Sequence, residues 1–124
     1  MKLTKRMKKI LIFLLHPEKY LEWFHKNKIE TLNEYSTTGE ELYVWDVHIA
    51  AFLENRPTGF SSNERFSYRR TFQILKRLGL VERYVEETGV VAAKYKLTNE
   101  GRKMAEKIEK EIKAFIKEYE NIVS

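Results

Sequence analysis

Arginine, serine and glutamine crowd one short stretch of this chain, at Arg65, Ser67, Arg69, Arg70 and Gln73. Arginine pairs bidentately with phosphate oxygens or with guanine, glutamine pairs with adenine, and serine bonds phosphate or either base. The stretch carries cations at Arg65, Arg69, Arg70, Lys76 and Arg77, and no acidic residue between Glu64 and Glu82. Tyr68, Phe72, Leu75 and Leu78 recur at helical spacing on the other side. A helix from about Ser62 to Leu78 is therefore expected to turn one face to a core and the other to a polyanion. The chemistry on offer is contact with phosphates and base edges of double-stranded DNA. A plainly solvated charged face is the bland alternative, but these cations lack the interleaved glutamates that such faces carry. Lys76 and Arg77 fall in the last turn, where they favour the helix macrodipole, and are not counted as base readers.

Arg83, Lys94 and Lys96 are the next candidates for phosphate, on the flanks of an expected hairpin. Its strands run from Val81 to Glu87 and from Val90 to Leu97, with Thr88 and Gly89 as turn residues. The tip is acidic at Glu86 and Glu87, which phosphate repels, so the hairpin is expected to brace the helix instead of entering a groove.

The elements that must position these residues are legible from caps and periodicity. Ser61 and Glu64 form a capping-box signature, and Gly79 is placed to end the helix in the left-handed conformation. Upstream, Leu42 to Trp45 is a brief strand and Asp46 caps a supporting helix from Val47 to about Asn55. Pro57 and Gly59 then make the turn. Downstream, Thr98 caps a final helix, residues 99–123, whose Ala105, Ile108, Ile112, Phe115, Tyr119 and Ile122 form a heptad-like seam. At the N-terminus Leu3, Met7, Ile10 and Leu14 mark an amphipathic helix with lysines opposite. Pro17 opens a second helix through Tyr20, Leu21, Phe24, Leu32 and Tyr35, ended by the turn-forming run Ser36 to Gly39.

Assembled, these elements predict a mainly α protein with a small β-hairpin (α+β), a winged helix-turn-helix. One domain is expected, with N-terminal helices over 1–35, a winged-helix core over 42–98 and a long C-terminal helix over 99–123. That last helix would be about 37 Å long, against some 25 to 30 Å for the core. Part of its seam must find another surface, either the N-terminal helix of the same chain or a second copy. A homodimer is the favoured reading, because the outward faces mix Lys and Glu as coiled-coil flanks do.

Composition narrows the remaining classes. The 124 residues contain no cysteine, and His16, His25 and His48 lack ligand spacing, so no metal or cofactor is expected. No glycine-rich phosphate loop, nucleophile elbow or His-Glu metal helix is present, and the chain does not read as an enzyme. The net charge of +5 concentrates at Lys2, Lys5, Arg6, Lys8 and Lys9 and again between Arg65 and Arg77, as a polyanionic partner requires. The N-terminal lysines can meet flanking phosphates, water or an acidic membrane surface. The apolar run Ile10 to Leu15 is too short for a signal peptide or a membrane span, so no membrane association and a cytoplasmic location are expected.

The runs Leu75-Lys76-Arg77-Leu78-Gly79-Leu80-Val81-Glu82-Arg83 and Tyr95-Lys96-Leu97-Thr98-Asn99-Glu100-Gly101-Arg102 resemble winged-helix transcriptional regulators of the MarR and PadR type. There, a leucine-glycine-leucine segment ends the recognition helix and a leucine-threonine-x-x-glycine segment joins wing to dimerisation helix. The resemblance spans roughly Asp46 to Met104. It implies a homodimer that binds a pseudo-palindromic duplex, with Arg65, Ser67, Arg69, Arg70 and Gln73 toward the DNA. The alternative class is an interaction adaptor that uses the same fold without DNA, and a third is a regulator that senses a small molecule among Trp23, Phe24 and Trp45.

Overall fold

A computed structural model describes residues 2–16, 26, 36–38, 41–55, 62–83 and 94–123. Helix α1 (Lys5–Leu15) opens on Thr4, whose side chain accepts a hydrogen bond from the Met7 amide. The expected stripe is present, but burial is wider than a stripe: Met7, Ile10, Leu11, Phe13, Leu14 and Leu15 all lie in the core. The C-terminal half of α1 is apolar almost all round, which suits a helix covered on several sides. Burial of each large side chain, such as Phe13 or Ile10, contributes about 1.5 to 3 kcal/mol. The second expected helix, from Pro17 to Tyr35, lies outside the described residues except for Lys26, which is helical.

Strands β1 (Ser36–Thr38) and β2 (Glu41–Trp45) pair antiparallel, Ser36 opposite Tyr43 and Thr38 opposite Glu41. This corrects the reading of Ser36 to Gly39 as a turn. Ser36, Thr37 and Thr38 are strand-compatible types, and an adjacent β2 supplies the partner that local propensity cannot reveal.

Helix α2 (Asp46–Leu53) follows β2 directly and is shorter than expected. The chain leaves it at Asn55, which has a positive φ of 50°, a conformation asparagine tolerates better than most residues. Helix α3 (Ser62–Arg77) matches its expected span. The start signal at Ser61 and the turn at Pro57 and Gly59 fall outside the described residues.

The end of α3 is a Schellman motif. The Gly79 amide donates to the Lys76 carbonyl and the Leu80 amide to the Leu75 carbonyl, both at 3.0 Å, with Gly79 at φ 75°. Leu75 and Leu80 both enter the core, while Leu78 is 37% exposed. The expected inward face therefore loses Leu78. The helix has already ended at Arg77, and the glycine turn swings Leu80 into the place a continuing helix would have filled.

Strands β3 (Val81–Arg83) and β4 (Lys94–Leu97) pair antiparallel, Val81 opposite Leu97. The remainder of the expected hairpin, with its tip at Glu86 to Gly89, lies outside the described residues. β4 also pairs with β2, Val44 opposite Tyr95, which gives the strand order β1-β2-β4-β3. The strand before α2 is thus tied to the strand after α3, and the two helices are held against one small antiparallel sheet. Phe72 of α3 stacks on Tyr95 of β4 at 4.6 Å between ring centroids.

Helix α4 (Asn99–Val123) packs along α1. Ala105 and Ile108, the first two members of its seam, are buried there, and His16 at the end of α1 meets Glu109 at 3.2 Å. The start of the seam is covered by the chain's own first helix. Ile112, next along, is 43% exposed. The side chains of Phe115, Tyr119 and Ile122 lie outside the described ones. Among the described residues, no helix is long and apolar enough to cross a membrane and no acidic, histidine or cysteine cluster is arranged to hold a metal.

Candidate nucleic-acid interface

The geometry of α3 follows from its sequence period. Tyr68, Phe72 and Leu75 are buried, and the side chains a half-turn away face water. Phe66, Arg70, Gln73, Lys76 and Arg77 are exposed, and Arg69 is half-buried. Residues 66, 69, 70, 73 and 77 fall at i, i+3, i+4, i+7 and i+11, one continuous stripe. Arg65 lies in the first turns of the same helix, its side chain outside the described ones. The expected separation of core face and cationic face is therefore present for Arg69, Arg70 and Gln73.

Ser67 has a different job from the one its type suggested. Its hydroxyl accepts a hydrogen bond from the Arg6 guanidinium at 2.5 Å, and the same guanidinium lies over the Tyr68 ring, 4.3 Å from its centroid. Ser67 therefore anchors a cation from α1 instead of standing free as a reader. Lys5 and Lys9, exposed and one turn apart on α1, extend the positive surface beyond Arg6.

Tyr68 holds this flank together from beneath. Its hydroxyl donates to Glu54, just after α2, so one side chain links α1, α2 and α3. Burial first, and then the hydrogen bond to the Glu54 carboxylate, push the Tyr68 phenol far above its ordinary value, with Arg6 opposing.

The opposite flank of α3 is set by the sheet. Arg83 stands directly across from Tyr95 in the β3–β4 register, so the two share a sheet face. Burial, followed by the charge of Asp46, raises the Tyr95 phenol, while Arg83 and Arg69 both lower it. Both guanidinium groups are therefore within electrostatic reach of one hydroxyl, which brings Arg69 and Arg83 to the same side of the molecule.

Lys94 and Lys96 alternate with the buried Tyr95 and Leu97, which puts them on the other face of the sheet from α3. Lys96 lies across from Glu82 and pairs with it at 3.3 Å, its side chain only 16% exposed. The expectation that Lys94 and Lys96 join the α3 cations is thus corrected. Strand alternation sends them away, and a cross-strand carboxylate balances Lys96.

Two residues of this surface escaped the sequence reading. Arg6 lies 61 positions from Ser67, and no local pattern joins them. Phe66 is 56% exposed, and its spacing to Arg69 and Arg70 was a readable signal that an aromatic type concealed. Compared with known proteins, the chain matches no family model, no curated protein and no solved structure.

Proposed function

We propose that this chain is a winged helix-turn-helix protein that binds double-stranded DNA as a homodimer and regulates transcription. The observation that carries the reading is the two-sided helix α3, buried through Tyr68, Phe72 and Leu75 and open through Arg69, Arg70 and Gln73. Arg6 on one flank and Arg83 on the other widen the cationic strip beyond the helix. The order β2-α2-α3-β3-β4, with β2 paired to β4, supports a winged helix, because that pairing fixes a supporting helix and a reading helix on one sheet.

In this reading α3 enters the major groove, where guanidinium and amide groups meet base edges, and α1 lies along the backbone with Arg6, Lys5 and Lys9 toward phosphate. The exposed seam from Ile112 onward joins two copies. Their recognition helices then sit about one DNA turn apart, some 34 to 36 Å, and read a two-fold symmetric site.

Fluorescence titration of a labelled random-sequence duplex at several salt concentrations tests this. Saturable binding that weakens steeply with salt is expected, and replacing Arg69 and Arg70 together by alanine lowers the log-log slope by about two units, one per phosphate released. Wild-type protein without salt-sensitive binding, or a double variant with unchanged slope, overturns the reading.

A further inference from the structure

Phe66 is the aromatic of α3 that does not join the core. Its ring is 56% exposed, while Tyr68, Phe72 and Leu75 on the same helix are buried. Its neighbours on the stripe are Arg69 and Arg70, three and four positions on, with Gln73 and Arg77 further along. The Arg69 guanidinium carbon lies 5.8 Å from the Phe66 ring centroid. A surface that fits this stripe must therefore be anionic at its edges and offer an apolar group at one point near the start of α3.

The major groove of DNA has that composition. Phosphates line its rims, and thymine alone among the bases projects a methyl group into it. The N-terminal half of a groove-bound helix is also the part that meets base edges. We infer that Phe66 is a specificity-determining residue whose ring packs on the 5-methyl group of a thymine. Arg69 beside it bonds the adjacent phosphate or guanine. This rests on the DNA-binding reading above and adds the base that the helix selects. An acidic protein surface is a different class of partner, and its apolar contact would not depend on a thymine methyl.

Sites are first selected with the wild-type chain from a random duplex pool. Each thymine of the bound half-site is then replaced in turn by deoxyuridine, which keeps every hydrogen bond and removes only the methyl. One position per half-site is expected at which deoxyuridine weakens wild-type binding about fourfold, the worth of one buried methyl group. Phe66→Ala binds more weakly and shows no such penalty, whereas Phe66→Leu, still apolar, retains part of it. Thermal melts of both variants should match wild type, since the side chain stands outside the core. Binding of wild type that is indifferent to deoxyuridine everywhere, or a penalty undiminished in Phe66→Ala, overturns the inference while duplex binding itself stands. Absence of any duplex binding overturns both.

Discussion

Gly101 lies flat against the carbonyl of Leu80: a Cβ on Gly101 would fall 1.8 Å from the Leu80 oxygen. The contact joins the first turn of α4 to the residue that leaves α3, and it is reinforced on both sides. The Thr98 amide donates to the same Leu80 carbonyl at 3.1 Å, and the Thr98 hydroxyl donates to the Gly79 carbonyl at 2.6 Å. That hydroxyl also accepts the Gly101 amide at 3.0 Å, so one threonine caps α4 and fastens it to the end of α3.

Gly101→Ala is therefore expected to destabilise the protein by about 3 kcal/mol or more, since backbone and not a flexible side chain must yield. Gly79→Ala meets no atom within 4 Å and suffers only its φ of 75°, a cost of about 1 kcal/mol. Urea denaturation of the two variants should rank them in that order. An equal loss in both would show that the close approach at Gly101 is relieved.

Thr98→Ser keeps the hydroxyl and should remain near wild type. Thr98→Val keeps the shape and removes both hydrogen bonds, and should lose about 1 to 2 kcal/mol. The same denaturation measurement separates the bonds from the packing.

Stability should fall in alkali through Tyr68 and Tyr95. Both phenols are raised from an ordinary value of 10.0, chiefly by burial, so the fold favours their neutral forms. Their contribution is complete below pH 10.0 and declines as pH rises from there toward the folded-state values. Melting temperature followed from neutral to strongly alkaline pH should be level and then drop. Tyr68→Phe should lower stability by about 1 kcal/mol at neutral pH and reduce the alkaline slope. A slope unchanged in this variant would remove Tyr68 from the explanation.

Lys96 and Arg83 should part company in DNA binding, although both were candidates from sequence. Arg83→Ala reduces affinity and salt slope, whereas Lys96→Ala, whose charge already meets Glu82 behind the sheet, leaves the slope within error. Arg6→Ala should act like Arg83→Ala. Equal effects for Lys96 and Arg83 would contradict the separation of the two sheet faces.

Ile112 is the test of the dimer. It is 43% exposed on the seam of α4, so Ile112→Asp should leave the monomer fold intact and halve the mass seen by light scattering. A wild-type monomer at micromolar concentration would leave the seam without its proposed partner.

Much of this protein is settled locally. The span of α3, its stop at Gly79, the cap at Thr98 and the pairing of a buried stripe with a cationic one all follow from side chains within a few positions of each other. Helical period and capping are short-range rules, so sequence suffices for them. Long-range neighbours are another matter. Ser36 to Thr38 became a strand because β2 lay beside it, Leu78 was turned out because Leu80 took its place, and the early seam of α4 was covered by α1. The candidate site divides the same way. Arg69, Arg70 and Gln73 were visible from spacing alone, but only packing brought Arg6 onto Ser67, set Arg83 on the side of Arg69 and turned Lys94 and Lys96 behind the sheet. A charge's type is written in the chain; the direction it faces depends on which distant elements share its surface.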